Sequence, residues 1–134
     1  MSGELLFCLL LGHLVGDYLA QTEWMAYNKH ENTEEGWFAA IAHCTVYSVA
    51  VFAMLAVGGL SLGLIECFVF IWFIFNSHII FDKTKFVMWW TTKVLGRTYD
   101  PSDTIKFNIN TLVYVVADNT FHLLLMYFIL GMFV

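Results

Sequence analysis

Four stretches of the chain stay apolar over the roughly 20 residues that a membrane-spanning helix needs. They are about Leu5–Met25, Trp37–Val57, Leu60–Phe81 and Ile109–Val134. Two polar segments interrupt them, Ala26–Gly36 and Asp82–Asn108. Only Gly58-Gly59, with Ser61 and Gly63 just beyond, separates the second stretch from the third, which predicts a tight helical hairpin. Inside the second polar segment, Lys85 to Lys93 mixes basic and apolar residues around Trp89 and Trp90. Such a mixture predicts that this stretch is an amphipathic helix lying in the membrane interface, within an interfacial segment of about 83–97. The predicted fold class is all-α: an integral membrane four-helix bundle, residues 1–134 forming a single transmembrane domain, with the interfacial helix between helices 3 and 4.

Composition strengthens this picture. The 134 residues are 60% hydrophobic and 13% charged, whereas a soluble domain is about a quarter charged. The apolar content exceeds what a soluble core of this size could bury, so lipid is the expected solvent for much of the chain. Cys8, Cys44 and Cys67 lie far apart in apolar runs without CxxC spacing, and are expected to be small buried hydrophobes. The start, Met-Ser-Gly-Glu, lacks the basic region and cleavage site of a signal peptide, so the first stretch is expected to remain in the mature chain.

Charge sets an expected orientation. All six basic residues, Lys29, Lys83, Lys85, Lys93, Arg97 and Lys106, fall in the two polar segments. The positive-inside rule then places those segments in the cytoplasm and both termini outside.

Ionisable groups within the apolar stretches are costly and point to function. His13, Asp17 and Gln21 recur at i, i+4, i+8 on the first helix; His43 lies on the second; His78 and Asp82, then Asp118 and His122, form i, i+4 pairs on the third and fourth. At about 1.5 Å rise per residue, Asp17, His43 and His78 fall roughly 9–11 Å from the cytoplasmic end, and His13 and Asp118 roughly 13–17 Å. Asp82 lies nearer the surface and His122 nearer the midplane. All seven share the cytoplasmic half. Inward-facing imidazoles and carboxylates are what helix bundles use to hold metal ions. His13, Asp17, His43, His78, Asp82, Asp118 and His122 are therefore the candidate metal ligands. Seven groups exceed one zinc site, which suits two ions or one ion with carboxylates orienting its histidines. The absence of thiolate suits Zn²⁺ first, with Mn²⁺ or Fe²⁺ also compatible. His30 is expected to be a solvated loop residue, and Gln21 either contacts substrate or satisfies its amide at the interface.

The segment His13-Leu-Val-Gly-Asp17-Tyr-Leu-Ala-Gln21-Thr-Glu-Trp-Met-Ala-Tyr-Asn-Lys29, in the pattern HxxGDxxxQTxWMAxxK, resembles the opening signature of a family of small polytopic membrane proteins of bacteria and phages, known as a domain of unknown function. Ala-Ile-Ala-His43, Asn76-Ser-His78-Ile-Ile-Phe-Asp82 and Ala-Asp118-Asn-Thr-Phe-His122 resemble its remaining blocks. The resemblance spans nearly the whole chain and implies kinship without an activity. A looser likeness, in layout and composition, is to bacterial membrane-bound metal-dependent hydrolases. Together they imply the bacterial inner membrane as the location.

The favoured expectation is a metal-dependent hydrolase acting at the cytoplasmic leaflet on an anionic phosphoester or lipid-linked substrate. Asp82, nearest the opening, is the expected proton acceptor. Gln21, Lys29, Lys83 and Lys85 are the expected substrate contacts. The alternatives are a divalent-cation or proton transporter, and a non-enzymatic envelope-modifying protein with a structural metal or polar cluster. Membrane lipids and a homo-oligomer are the expected partners; nucleic acid is not.

Overall fold

The computed structural model describes residues 2–134; Met1, the first residue of the expected domain, lies outside them. The described residues are helical, with no strand among them. Helix α1, Gly3–Leu14, starts where the Ser2 side chain accepts the Leu5 N–H at 3.2 Å, and it runs on as a π-helical stretch over Val15–Leu19. A short α2, Glu23–Asn28, is capped by Thr22, whose hydroxyl accepts the Met25 N–H at 3.3 Å. The expected continuous helix Leu5–Met25 is thus broken at Ala20–Thr22. The cause is local: a threonine placed to cap a new helix competes with continuation of the old one. At about 1.5 Å per residue the first piece spans about 25 Å, short of a hydrocarbon core of about 30 Å.

Three helices are long and apolar enough to cross a membrane: α3 (Glu34–Val57), α4 (Leu64–Lys83) and α6 (Thr104–Gly131). Between the last two lies α5, Phe86–Trp89, continued by a π-helical stretch over Trp90–Val94. The helical stretch expected around Lys85–Lys93, within the segment 83–97, accordingly runs from Phe86 to Val94. Other boundaries move for capping reasons. Thr33 and Asp103 accept the N–H groups of Gly36 and Lys106 at 3.0 Å each, drawing α3 and α6 outward past the apolar runs. The tight Gly58-Gly59 hairpin is longer than expected, because α4 begins only at Leu64. There the Glu66 carboxylate accepts the Gly63 N–H at 2.8 Å, which gives this acid a capping role.

Helix α1 packs on α3, α3 on α4, α4 on α6 and α6 on α1, closing a ring. Each helix turns an i, i+4 stripe inward: Leu5, Leu9, His13 on α1; His43, Tyr47, Val51, Leu55 on α3; Phe70, Ile74, His78, Asp82 on α4; His122, Met126, Leu130 on α6. Because successive helices run in opposite directions, the apolar ends of the stripes meet at one end of the ring and the polar ends at the other. Outward positions are large and apolar, with Phe7 and Trp72 60% exposed and Ile65 78% exposed, as lipid-facing side chains would be. Gly12 and Gly16 let α1 and α3 approach: a Cβ on Gly12 would come 2.8 Å from the Val51 Cα, and one on Gly16 2.6 Å from the Tyr47 ring. This is small-xxx-small packing of the kind found between membrane helices, a signal that a hydropathy pattern does not use.

Candidate functional site

Asp17 lies inside the π-helical stretch Val15–Leu19. Such one-turn widenings re-aim side chains and are frequent at functional sites. Its Oδ1 stands 3.2 Å from His43 Nε2 and 3.4 Å from His78 Nε2, and those two nitrogens are 2.9 Å apart. Asp82 approaches from the other side, with Oδ2 3.6 Å from both nitrogens. Its Oδ1 pairs with the Lys29 ammonium at 3.1 Å. Both histidines are almost wholly buried.

Ordinary hydrogen bonding leaves this cluster incomplete. Asp17 Oδ1, Asp82 Oδ2 and His122 Nε2 are buried without a hydrogen-bond partner among the described residues, as are His43 Nδ1 and His78 Nδ1, which diverge from the Nε2 atoms that face Asp17. Buried polar atoms left unpaired cost about 1–3 kcal/mol each, more when charged. The donor chemistry fits a divalent cation. Ligand atoms about 2.0–2.2 Å from one zinc ion sit about 3–3.6 Å from each other, and the Asp17–His43–His78 separations fall at or near that range. Two groups bring ligand atoms within 4.8 Å of one another: Asp17, His43 and His78; and His78, Asp82 and His122.

The other expected ligands sit beside these groups. His13 spends both ring nitrogens on the protein: Nδ1 lies 2.8 Å from the Tyr47 hydroxyl and Nε2 2.7 Å from Asn119 Oδ1. Asn119 Nδ2 donates to Val115 O and the Tyr18 hydroxyl, so its oxygen faces His13 and His13 Nε2 must carry the proton. His13 Nδ1 is then the acceptor of the Tyr47 hydroxyl and, although 3.4 Å from Asp17 Oδ2, has no proton to offer that carboxylate. His122 donates Nδ1–H to the Asp118 carbonyl at 2.9 Å. Asp118 keeps its carboxylate 31% exposed. Tyr47 stacks on His78 with ring centroids 3.7 Å apart and closes the cluster from the apolar core.

A cavity of about 190 Å³ opens beside the cluster. Gln21 and Lys29 line it, as do Asp118 and His122. Lys83 and Lys85 do not: Lys83 donates to the Glu31 carbonyl at 2.8 Å over the Trp37 ring, and Lys85 borders a separate apolar groove with Phe81 and Trp89. His30, expected in a solvated loop, lines the cavity and bonds through Nδ1 to the Asp82 carbonyl at 2.9 Å. Tyr18, Tyr114 and Asn119 also line it. None of these carries a periodic signal except Tyr114, which continues the Asp118 face at i−4.

The arrangement draws on nearly the full length of the chain, and so does its relationship to known sequences. The family described as a protein of unknown function (DUF3307) matches residues 5–134. The chain belongs to that family. No curated protein and no solved structure matches it. In this DUF3307 chain the matched region contains every residue of the cluster, from His13 to His122.

Proposed function

We propose that this protein is an integral membrane metal-dependent hydrolase whose substrate is an anionic phosphoester, soluble or lipid-linked, taken at the cytoplasmic leaflet of the bacterial inner membrane. In this reading α1 crosses with the three long helices as a four-helix membrane bundle, with local thinning or tilt of its neighbours accommodating its length. The six basic residues face the cytoplasm and both termini lie outside. One observation carries the proposal: Asp17 Oδ1, His43 Nε2 and His78 Nε2 converge at 2.9 to 3.4 Å beside a polar cavity. Three protein donors with space alongside are the arrangement of catalytic zinc sites, whereas structural sites close with four.

A divalent ion bound there, Zn²⁺ first and Mn²⁺ or Fe²⁺ next, supplies Lewis acidity and brings the pKa of water down to about 7. The chain does the rest. Lys29 presents its ammonium to the cavity, where it attracts an anionic group while holding Asp82 in place. Asp118 is the carboxylate we assign to accept the proton, instead of Asp82. Asp82 is 3% exposed at its side chain and paired with Lys29, whereas Asp118 is open to the cavity. Gln21 and His30 contribute orienting contacts at the same wall. A conducting path would have to pass Tyr47, Val51, Leu55 and Ile74, all fully buried at the closed end, which favours a hydrolase over a transporter.

The test is metal content and turnover together. Detergent-purified protein should retain zinc and release phosphate or a headgroup from one member of a panel of phosphoesters and phospholipids. His43→Ala and Asp17→Asn should lose both. Full metal content in both variants would refute the site, and turnover unaffected by chelation would refute the chemistry.

A further inference from the structure

We infer that a second divalent cation binds on the cavity side of the cluster, between His122 and Asp82, next to the ion assigned to Asp17, His43 and His78. The inference rests on that assignment. Its first support is the fixed tautomer of His122. A backbone carbonyl only accepts, so the 2.9 Å bond to Asp118 O places the proton on Nδ1 and leaves the lone pair on Nε2. Metal-binding histidines are held in this way, with one nitrogen anchored to a carbonyl and the other presented. Here Nε2 is buried and has no hydrogen-bond partner.

Asp82 supplies the second support. Its Oδ2 is likewise unpartnered, stands 3.6 Å from both His43 Nε2 and His78 Nε2, and belongs to the group with His78 and His122 whose ligand atoms lie within 4.8 Å. A carboxylate oxygen between two sets of imidazoles is placed to bridge two cations. His78 Nε2 has a single lone pair, which the first ion takes, so the link between the sites is the shared Asp82 Oδ2. Cations joined by one such oxygen would sit as close together as the pairs, about 3.5–4 Å apart, that clamp the attacking and leaving oxygens of phosphoesters. The cavity meets the second set directly, since His122, Asp82 and Lys29 all line it. The ligand class is thus a second Zn²⁺ or Mn²⁺, and the substrate class narrows to a phosphoester that spans both.

The experiment strips the full-length protein with chelator, reloads it with Zn²⁺ or Mn²⁺, desalts, and counts bound ions. The wild type should hold two ions per chain, and His122→Gln and His43→Gln one each. The Mn²⁺-loaded wild type should show an exchange-coupled electron paramagnetic resonance signal, reduced to an isolated ion in His122→Gln. One ion in the wild type, with no coupling, overturns the second site while leaving the first intact. No ion at all overturns the first assignment as well. The resonance measurement on the wild type decides the matter even where His122→Gln fails to fold.

Discussion

Replacing Lys29 by methionine isolates the charge balance of the cluster. The Lys29 ammonium lies 3.1 Å from Asp82 Oδ1, with side chains 11% and 3% exposed. Removing one partner of a buried ion pair strands the other charge and costs about 3–5 kcal/mol. The slight exposure of Lys29 argues for the lower end, about 3 kcal/mol. A change of about 1 kcal/mol moves the Tm of a chain of this size by about 4 °C, so Lys29→Met in chelator should melt about 12 °C below the wild type. A cation beside Asp82 changes the outcome, because it compensates the carboxylate that Lys29 no longer neutralises. At zinc concentrations about 100 times Kd the wild type should gain about 2.7 kcal/mol. The variant should gain more, and the gap between them should shrink to about 4 °C. The assay is thermal unfolding in detergent, followed by tryptophan fluorescence, with and without zinc. A gap of about 12 °C in both conditions would mean that no cation approaches Asp82 and would remove the ion assigned beside it, while the absence of any zinc-dependent rise in the wild type would remove the site at Asp17, His43 and His78 as well.

Three further perturbations probe separate parts of the fold. Gly16→Ala places a Cβ 2.6 Å from the Tyr47 ring, so overpacking of about 1–3 kcal/mol should outweigh the helix propensity of about 1 kcal/mol that alanine brings; a rise in Tm would refute the close approach of α1 and α3. Tyr47→Phe keeps the stack on His78 but removes the hydroxyl 2.8 Å from His13 Nδ1, so a loss of about 1–2 kcal/mol with metal content retained is expected in the same melt. Asp118→Asn should lower kcat by about 10²–10⁴ while leaving the ion count unchanged, and normal turnover would remove Asp118 from the proton-transfer role.

The long helices were legible because an apolar run of about 20 residues leaves few alternatives. Their ends were not, because the residues that start them are polar and lie outside the runs. Thr33, Asp103 and the Gly63–Glu66 pair each satisfy a free N–H that hydropathy does not register. The break in the first helix has the same origin at Thr22. The i, i+4 spacing placed Asp17, His78, Asp82 and His122 on inward faces, and the structure brings these four and His43 together. Spacing alone could not separate His13, whose ring nitrogens face Tyr47 and Asn119, from His122, whose Nε2 has no partner. That difference depends on residues more than 30 positions away. Lys83 and Lys85 illustrate the opposite hazard: a basic residue at a membrane boundary satisfies the charge rule wherever it points, so its sign carries little information about substrate.

The location of the cluster follows from chain direction. On α1 and α4 the polar residues come at the C-terminal end of the inward stripe; on α3 and α6 they come at the N-terminal end. Reversing the order on any one helix would send its histidine into the apolar end among Leu9, Val51 and Leu130, where an unpaired imidazole finds no partner. The alternation therefore concentrates every costly group at one end, where Lys29 and His30 from the connecting segment can reach Asp82. It leaves the other end free to pack as an apolar core, with Tyr47 at the boundary, its ring stacked on His78 and its hydroxyl 2.9 Å from Met126 Sδ. A transporter would need polar groups along the whole axis. This division instead suits a cavity open at the polar end, beside Lys29, and that is why the hydrolase proposal and the orientation proposal stand together: both put the approach of an anionic substrate at that end.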